Sequence, residues 1–215
     1  MMGKNHLLVS GSAMFSAVAI DGYAFKVIES TTDAFPQQLL AKHFFINYFY
    51  PSSVLTSGEF IILLWSGLVF IGYLIGSLLP DIDSKSSILG RYFHLPIGHR
   101  TWTHTIWAII ILFIVSVFII PFRPVLIGFI MHVIEDYPSG CGICLTYPFH
   151  KYIEYESGAR VADGHKFKLY NTSDASEKRF VFIILAVLLI IIWFCGIMGG
   201  GFASFWRVLT SVISY

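Results

Sequence analysis

Three short motifs bring together side chains that bind cations. Asp81-Ile82-Asp83 follows Pro80, His99 and His104 lie five residues apart, and His132 and Asp136 lie four apart. At a spacing of four, an imidazole and a carboxylate share one helix face about a turn apart. Such a pair can hold one divalent ion, or the carboxylate can orient the imidazole. His6 adds another imidazole near the N-terminus. Taken singly, the motifs have ordinary explanations: a solvated turn, histidines among lipid headgroups, a helix-end cap. Together they offer seven ligands, His6, Asp81, Asp83, His99, His104, His132 and Asp136. Mixed His and Asp donors suit Zn, Mn or Fe, and more than four of them point to two ions rather than one. Two adjacent ions clamp the attacking and leaving oxygens of a displacement and make hydroxide accessible near neutral pH, which suits phosphoester hydrolysis. Arg100, between two of the histidines, can fork onto a phosphate or simply fix topology by its charge. Asp83, His104 and Arg100 are the expected catalytic side chains. One or two divalent ions are the expected cofactor, Zn before Mn or Fe.

These groups sit in a chain that is otherwise apolar. Of the 215 residues, 56% are hydrophobic, 17% aromatic and 13% charged, and the mean hydropathy is +0.72. A soluble domain carries about a quarter charged residues. Charge beside a bilayer is costly, so a polar cluster there implies work. The net charge of +1 comes without any basic, aromatic-interleaved patch, so nucleic acid is not an expected partner. Three Cys make no disulfide framework. Cys141 and Cys144 form a lone C-x-x-C, weak as a zinc motif without a second pair.

The expected fold is all-α, a polytopic membrane helix bundle of four or five membrane helices in one domain, with polar loops and a metal site at one membrane face. Residues 60–79 and 180–206 are uncharged runs, each longer than the roughly 18 apolar residues that mark a spanning helix. Gly199-Gly200-Gly201 should end the second early. Residues 105–120 are shorter but wholly uncharged, with Thr103 a candidate N-cap just before them. Residues 124–136 open with Pro124 at a plausible first helical position and, at about 1.5 Å per residue, cover roughly two-thirds of a hydrocarbon core. His6–Ile20 reads as a helix packed through small residues, or as a signal peptide with Ala17-Val18-Ala19 resembling a cleavage site. Residues 26–58 read as an interfacial loop or short amphipathic segments.

With helices near 7–25, 60–79, 104–120, 124–136 and 180–198, residues 1–6, 80–103 and 137–179 share one side. That side carries ten of the 14 Lys and Arg residues, and the positive-inside rule makes it cytoplasmic. All seven candidate ligands reach that face, and 137–179 becomes a cytoplasmic basic loop. Residues 84–98 would cover the site, with Ser84, Ser86 and Ser87 free to bond headgroup or phosphate oxygens. His43, His94, His150 and His165 carry no motif and are read as surface or interfacial.

The ordered motifs "GSLLPDID", "GHRTWTH" and "HVIEDYPSG…LTYPF" resemble those of the YdjM-type, LexA-regulated, inner-membrane metal-dependent hydrolases. The resemblance runs over roughly residues 4–150 and includes a His before a small-residue helix, here His6-Leu7-Leu8-Val9-Ser10-Gly11. It implies a multi-pass protein of the bacterial inner membrane, and it maps metal ligands onto the same seven positions. Thr101 and Thr105 stand where the family typically has Gly and Ser, substitutions that leave ligand geometry possible.

The function expected is therefore a membrane-bound, metal-dependent hydrolase, a phosphoesterase acting on a lipid or lipid-phosphate. Two alternatives remain beside it. One is a metal-free lipid phosphatase built on a His–Asp pair, for which Arg100 and Arg91 are a thin phosphate cradle. The other is a non-catalytic membrane regulator or partner protein with a structural metal, whose basic loop meets a cytosolic protein or anionic lipid. A transporter is disfavoured by spans without midplane charges.

Overall fold

In the computed structural model, the residues described are 3–31, 44–55, 57–93, 95–97, 100–140, 142–149, 152–154, 160–162 and 169–211. Among them the chain is helical apart from one small hairpin. Helix α1 is Gly3–Thr31, followed by the short α2, Phe44–Phe49, and α3, Ser52–Leu55. Helix α4 is Glu59–Leu78, α5 is Ile106–Phe118, α6 is Phe122–Asp136, α7 is Ala175–Ile191 and α8 is Gly201–Ser211. Strands β1, Tyr152–Glu154, and β2, Arg160–Ala162, pair antiparallel with Ile153 opposite Val161. They fall inside the segment expected to be a loop. Its lysines at 151, 166 and 168 lie outside the described residues.

Three helices are long and apolar enough to cross a bilayer: Gly3–Ala24, Phe60–Leu78 and Ala175–Met198. Apolar runs explain all three. They also present large side chains outward, such as Phe60, Leu64 and Leu68 on α4 and Phe182, Ile183 and Ile190 on α7, a pattern stable only in an apolar solvent. The other two expected spans are shorter. Helix α5 has 13 residues and α6 has 15, about 20 and 22 Å at 1.5 Å per residue against a core of about 30 Å. They pack on each other as a hairpin. The N-terminal segment left open above is helical, and it buries His6 and Ser10.

Helix boundaries follow local chemistry. Thr105, not Thr103, is the N-cap of α5, its hydroxyl accepting from the Ala108 N–H. Pro124 lies in the first turn of α6, two residues after its start, where a missing N–H costs nothing. Helix α7 begins at Ala175, before the apolar run, with the Asp174 carboxylate accepting from the Ala175 N–H at 2.6 Å. It continues as a π-helical stretch, Ile192–Met198, and stops where glycines were expected to stop it, with Gly200 at φ +73°.

Contacts divide the chain into two compact units, one of residues 1–10 and 71–183 and the other of 11–70 and 184–215. The first holds the polar cluster. Its packing is tight where α4 meets α6. A Cβ on Gly76 would strike the backbone of Val125, and one on Gly128 would strike the Tyr73 carbonyl. Only glycine lets these two backbones touch. Phe129, Val133 and Ile143 form a buried apolar core behind the cluster, with Ile109 and Leu112 of α5 packed on it.

Candidate metal centre

Pro80 cannot continue α4, and the chain turns into a single 3₁₀ turn, Pro80–Asp83, that buries both aspartates. A second 3₁₀ turn, Trp102–His104, buries His104. The two turns are tied together by the Arg100 backbone N–H, which donates to Asp83 Oδ2 at 3.0 Å. Arg100 takes a left-handed backbone, φ +60°, to do so. Helix α6 supplies His132 and Asp136 from one face, as their spacing predicts.

Asp81, His104, His132 and Asp136 converge, each with one ligand atom within 4.8 Å of the others. The two Nε2 atoms of His104 and His132 are 3.3 Å apart. Asp81 Oδ1 lies 3.5 Å from His132 Nε2 and 3.7 Å from His104 Nε2. Asp136 Oδ2 lies 3.8 and 3.7 Å from the same atoms. All four side chains are buried.

The donor set fits a cation. His132 Nδ1 lies 2.7 Å from the Ser77 carbonyl, an acceptor only, so Nδ1 carries the proton and Nε2 a lone pair. Thr103 donates to Asp83, leaving its oxygen to accept from His104 Nδ1 at 3.0 Å. The two Nε2 lone pairs therefore face each other, flanked by two carboxylates, an arrangement that a cation between them satisfies. With bonds of about 2.0–2.1 Å, a tetrahedral ion sets its ligand atoms about 3.3–3.4 Å apart, close to the separations found. The outer contacts fix tautomer and orientation in the manner of carboxylate–histidine–metal arrangements.

Electrostatics agrees. Burial, and then the neighbouring His132, pushes the His104 imidazole well below its ordinary range, so it stays neutral and able to donate a lone pair. Burial alone would raise the Asp81 carboxyl. The neighbouring His132, and behind it His104, outweigh it and hold Asp81 below the usual carboxylate range.

The remaining sequence-derived candidates take other places. Asp83 is buried behind His104, its Oδ2 3.9 Å from Nδ1, on the side away from the other three ligands. His6 lies against the cluster without joining the four. Its ring stacks on His132 with centroids 3.9 Å apart, its Nδ1 is 2.7 Å from Glu135 Oε2, and its Nε2 is 3.4 Å from Asp136 Oδ1. His99 lies outside the described residues, as do His43, His94, His150, His165 and Cys141. Arg100, read as a fork for phosphate or a topology-fixing charge, is buried, and its guanidinium donates to Asp136 Oδ2 at 2.7 Å, Ser139 Oγ at 2.8 Å and the Gly142 carbonyl at 3.3 Å. Ser87, expected to face headgroups, turns inward to the Asp81 carbonyl at 2.6 Å, while Ser84 and Ser86 bond each other at 2.9 Å.

Sequence reasoning missed Glu135, Ser10, Ser77 and Ser139. Glu135 is buried and accepts from His6 and from the Ser10 hydroxyl at 2.6 Å. A signal for it existed: it stands three residues after His132, on the same helix face. Ser77 contributes only its carbonyl, which no side-chain motif reveals.

The chain is 33% identical over 85 residues to uncharacterized protein YvsG of Bacillus subtilis (strain 168), an alignment covering 34% of this chain and 53% of that protein. The chain thus spans about half the length of that relative. No solved structure matches. A match to the model of one membrane-protein family extends over residues 49–202, from the end of α2 into α8, and takes in the aspartate turn, the histidine turn and all of α6. By that match the chain belongs to the YdjM inner membrane protein family.

Proposed function

We propose that this protein is a membrane-bound, metal-dependent hydrolase that cleaves a phosphoester of a lipid-like substrate. The observation carrying this reading is the buried meeting of Asp81, His104, His132 and Asp136, a hard-and-borderline donor set suited to Zn, Mn or Fe. A bound divalent ion would supply Lewis acidity and an activated water. The chain's own part is positional. Ser77 and Thr103 hold the two imidazoles with Nε2 inward, Arg100 orients Asp136, and Asp83 anchors the histidine turn. Asp81 has the most accessible side chain of the four, at 9%, and in this reading substrate approaches from its side. Glu135 with His6 forms a carboxylate–imidazole pair beside Asp136, placed to hold or move a proton at His6 Nε2.

One observation favours a second reading. Four protein ligands complete a tetrahedron, and closed sites of that kind are structural, whereas catalytic zinc keeps an open position. In that case the protein is a non-catalytic membrane partner stabilised by its ion.

Metal content and activity together separate these readings. Protein purified without chelator is analysed for bound transition metal, as wild type and as His132→Gln and Asp81→Asn. It is then assayed for phosphate release from lipid phosphates in mixed micelles. About one ion or more per chain, lost in both variants, with release abolished by EDTA and restored by metal, supports the hydrolase. Bound metal without turnover supports the structural reading, and no metal in folded protein overturns both.

A further inference from the structure

The second unit contains a cavity of about 470 Å³ walled by α1, α4, α8, Phe45 of α2 and Tyr50 just after it. Its lining is apolar except for Tyr50 and Ser66. Those two hydroxyls are 2.8 Å apart, and Ser66 also donates to the Ile62 carbonyl at 2.8 Å, so neither calls for a polar ligand. The volume lies in the range of small-molecule sites, roughly 300–1,000 Å³. A helix about 10 Å wide fills roughly 400 Å³ per 5.4 Å turn, so the cavity has room for one turn of a partner helix and no more. No described lining residue is charged, which makes an ion or a soluble anionic metabolite a poor fit. Phe15, Leu63 and Trp206 line the cavity yet are 49%, 56% and 43% exposed, so it opens to the outside. Phe15 and Leu63 belong to helices apolar enough to cross the bilayer, which directs that opening to the hydrocarbon phase.

We infer that this cavity is a binding site for a single hydrocarbon chain of a bilayer lipid. The inference is independent of the metal centre. A long apolar chain arriving from the bilayer fits the volume, the lining and the opening at once.

Gly67 makes the site testable. It lines the cavity, and a Cβ built on it meets nothing within 4 Å, so a leucine there occupies the void without a clash at its Cβ. The full chain is reconstituted in phosphatidylcholine vesicles that contain a phospholipid with a diazirine in its acyl chain. After irradiation, labelled peptides are mapped. Saturable labelling near one probe per chain is expected on segments carrying Tyr50 and Trp206. Gly67→Leu should cut that labelling about tenfold, equivalent to about 1.4 kcal/mol, and Gly67→Ala should leave it intact. Unsaturable labelling spread along the outward faces of α4 and α7 overturns the inference, as does wild-type labelling of folded Gly67→Leu. If Gly67→Leu fails to fold, saturation and site of labelling in the wild type decide the matter.

Discussion

Replacing Arg100 by Met tests how the cluster is held together. The Arg100 and Asp136 side chains are 5% and 1% exposed, and their contact is 2.7 Å. Met keeps much of the volume but leaves a buried carboxylate without its partner and strips the Ser139 hydroxyl and Gly142 carbonyl of a donor. Breaking a buried pair from one side costs about 3–5 kcal/mol. For a chain of this size each kcal/mol moves the midpoint by about 2–4 °C, so R100M should unfold roughly 6–20 °C lower. The assay is thermal unfolding in detergent, with metal removed, followed by tryptophan fluorescence. D136N added to R100M removes the orphaned charge, so the double variant should be more stable than R100M alone. A cation bound between Asp81 and Asp136 also offsets the lost guanidinium, so saturating Zn²⁺ should narrow the deficit of R100M. A midpoint within about 2 °C of wild type, or independent effects of the two substitutions in the cycle, would refute the argument.

Other outcomes follow from the same geometry. Because folded His104 stays neutral while the unfolded side chain titrates near 6.5, only the unfolded metal-free chain gains that proton as pH falls below 6.5. Stability should then drop by up to about 1.4 kcal/mol per pH unit, and midpoints measured from pH 8 to 5 should lose this slope in His104→Gln. Asp81 acts lower: its depressed carboxyl contributes stability above the ordinary carboxylate value of 3.8 that is lost as pH falls beyond it. Gly128→Ala should push α6 off the Tyr73 carbonyl and destabilise by about 2 kcal/mol or more. The same shift should weaken metal binding in a chelator competition, since α4 and α6 both carry parts of the site. Thr103→Val removes the link between Asp83 and His104, and metal affinity should fall about tenfold while the fold survives.

Much of this was legible in the sequence because it rests on period and hydropathy. Uncharged runs identified two of the three spanning helices, the N-terminal one staying open between a helix and a signal peptide, and the spacing of His132 and Asp136 put them on one face. Helix ends then delivered Asp81 and His104 to the same place. What was not legible depends on pairings far apart in the chain. His6 and Glu135 are 129 positions apart, and only the folded chain shows that Glu135 turns His6 toward Asp136. Arg100 read as a phosphate fork or a topology-fixing charge because its charge was visible and its left-handed backbone was not. Thr103 and Thr105 both qualify as caps by type, and the 3₁₀ turn decides between them by committing Thr103 to Asp83. The early start of α7 was hidden because its first five residues include Glu177, Lys178 and Arg179, which hydropathy counts as loop.

The hold on His132 has an evolutionary corollary. Its acceptor is a main-chain oxygen, and every amino acid brings the same oxygen to position 77. Exchange among residues small enough for that buried position leaves the tautomer locked, so the side chain there can change while the imidazole it disciplines does not move. What selection must guard is the glycine contact that keeps two backbones within reach.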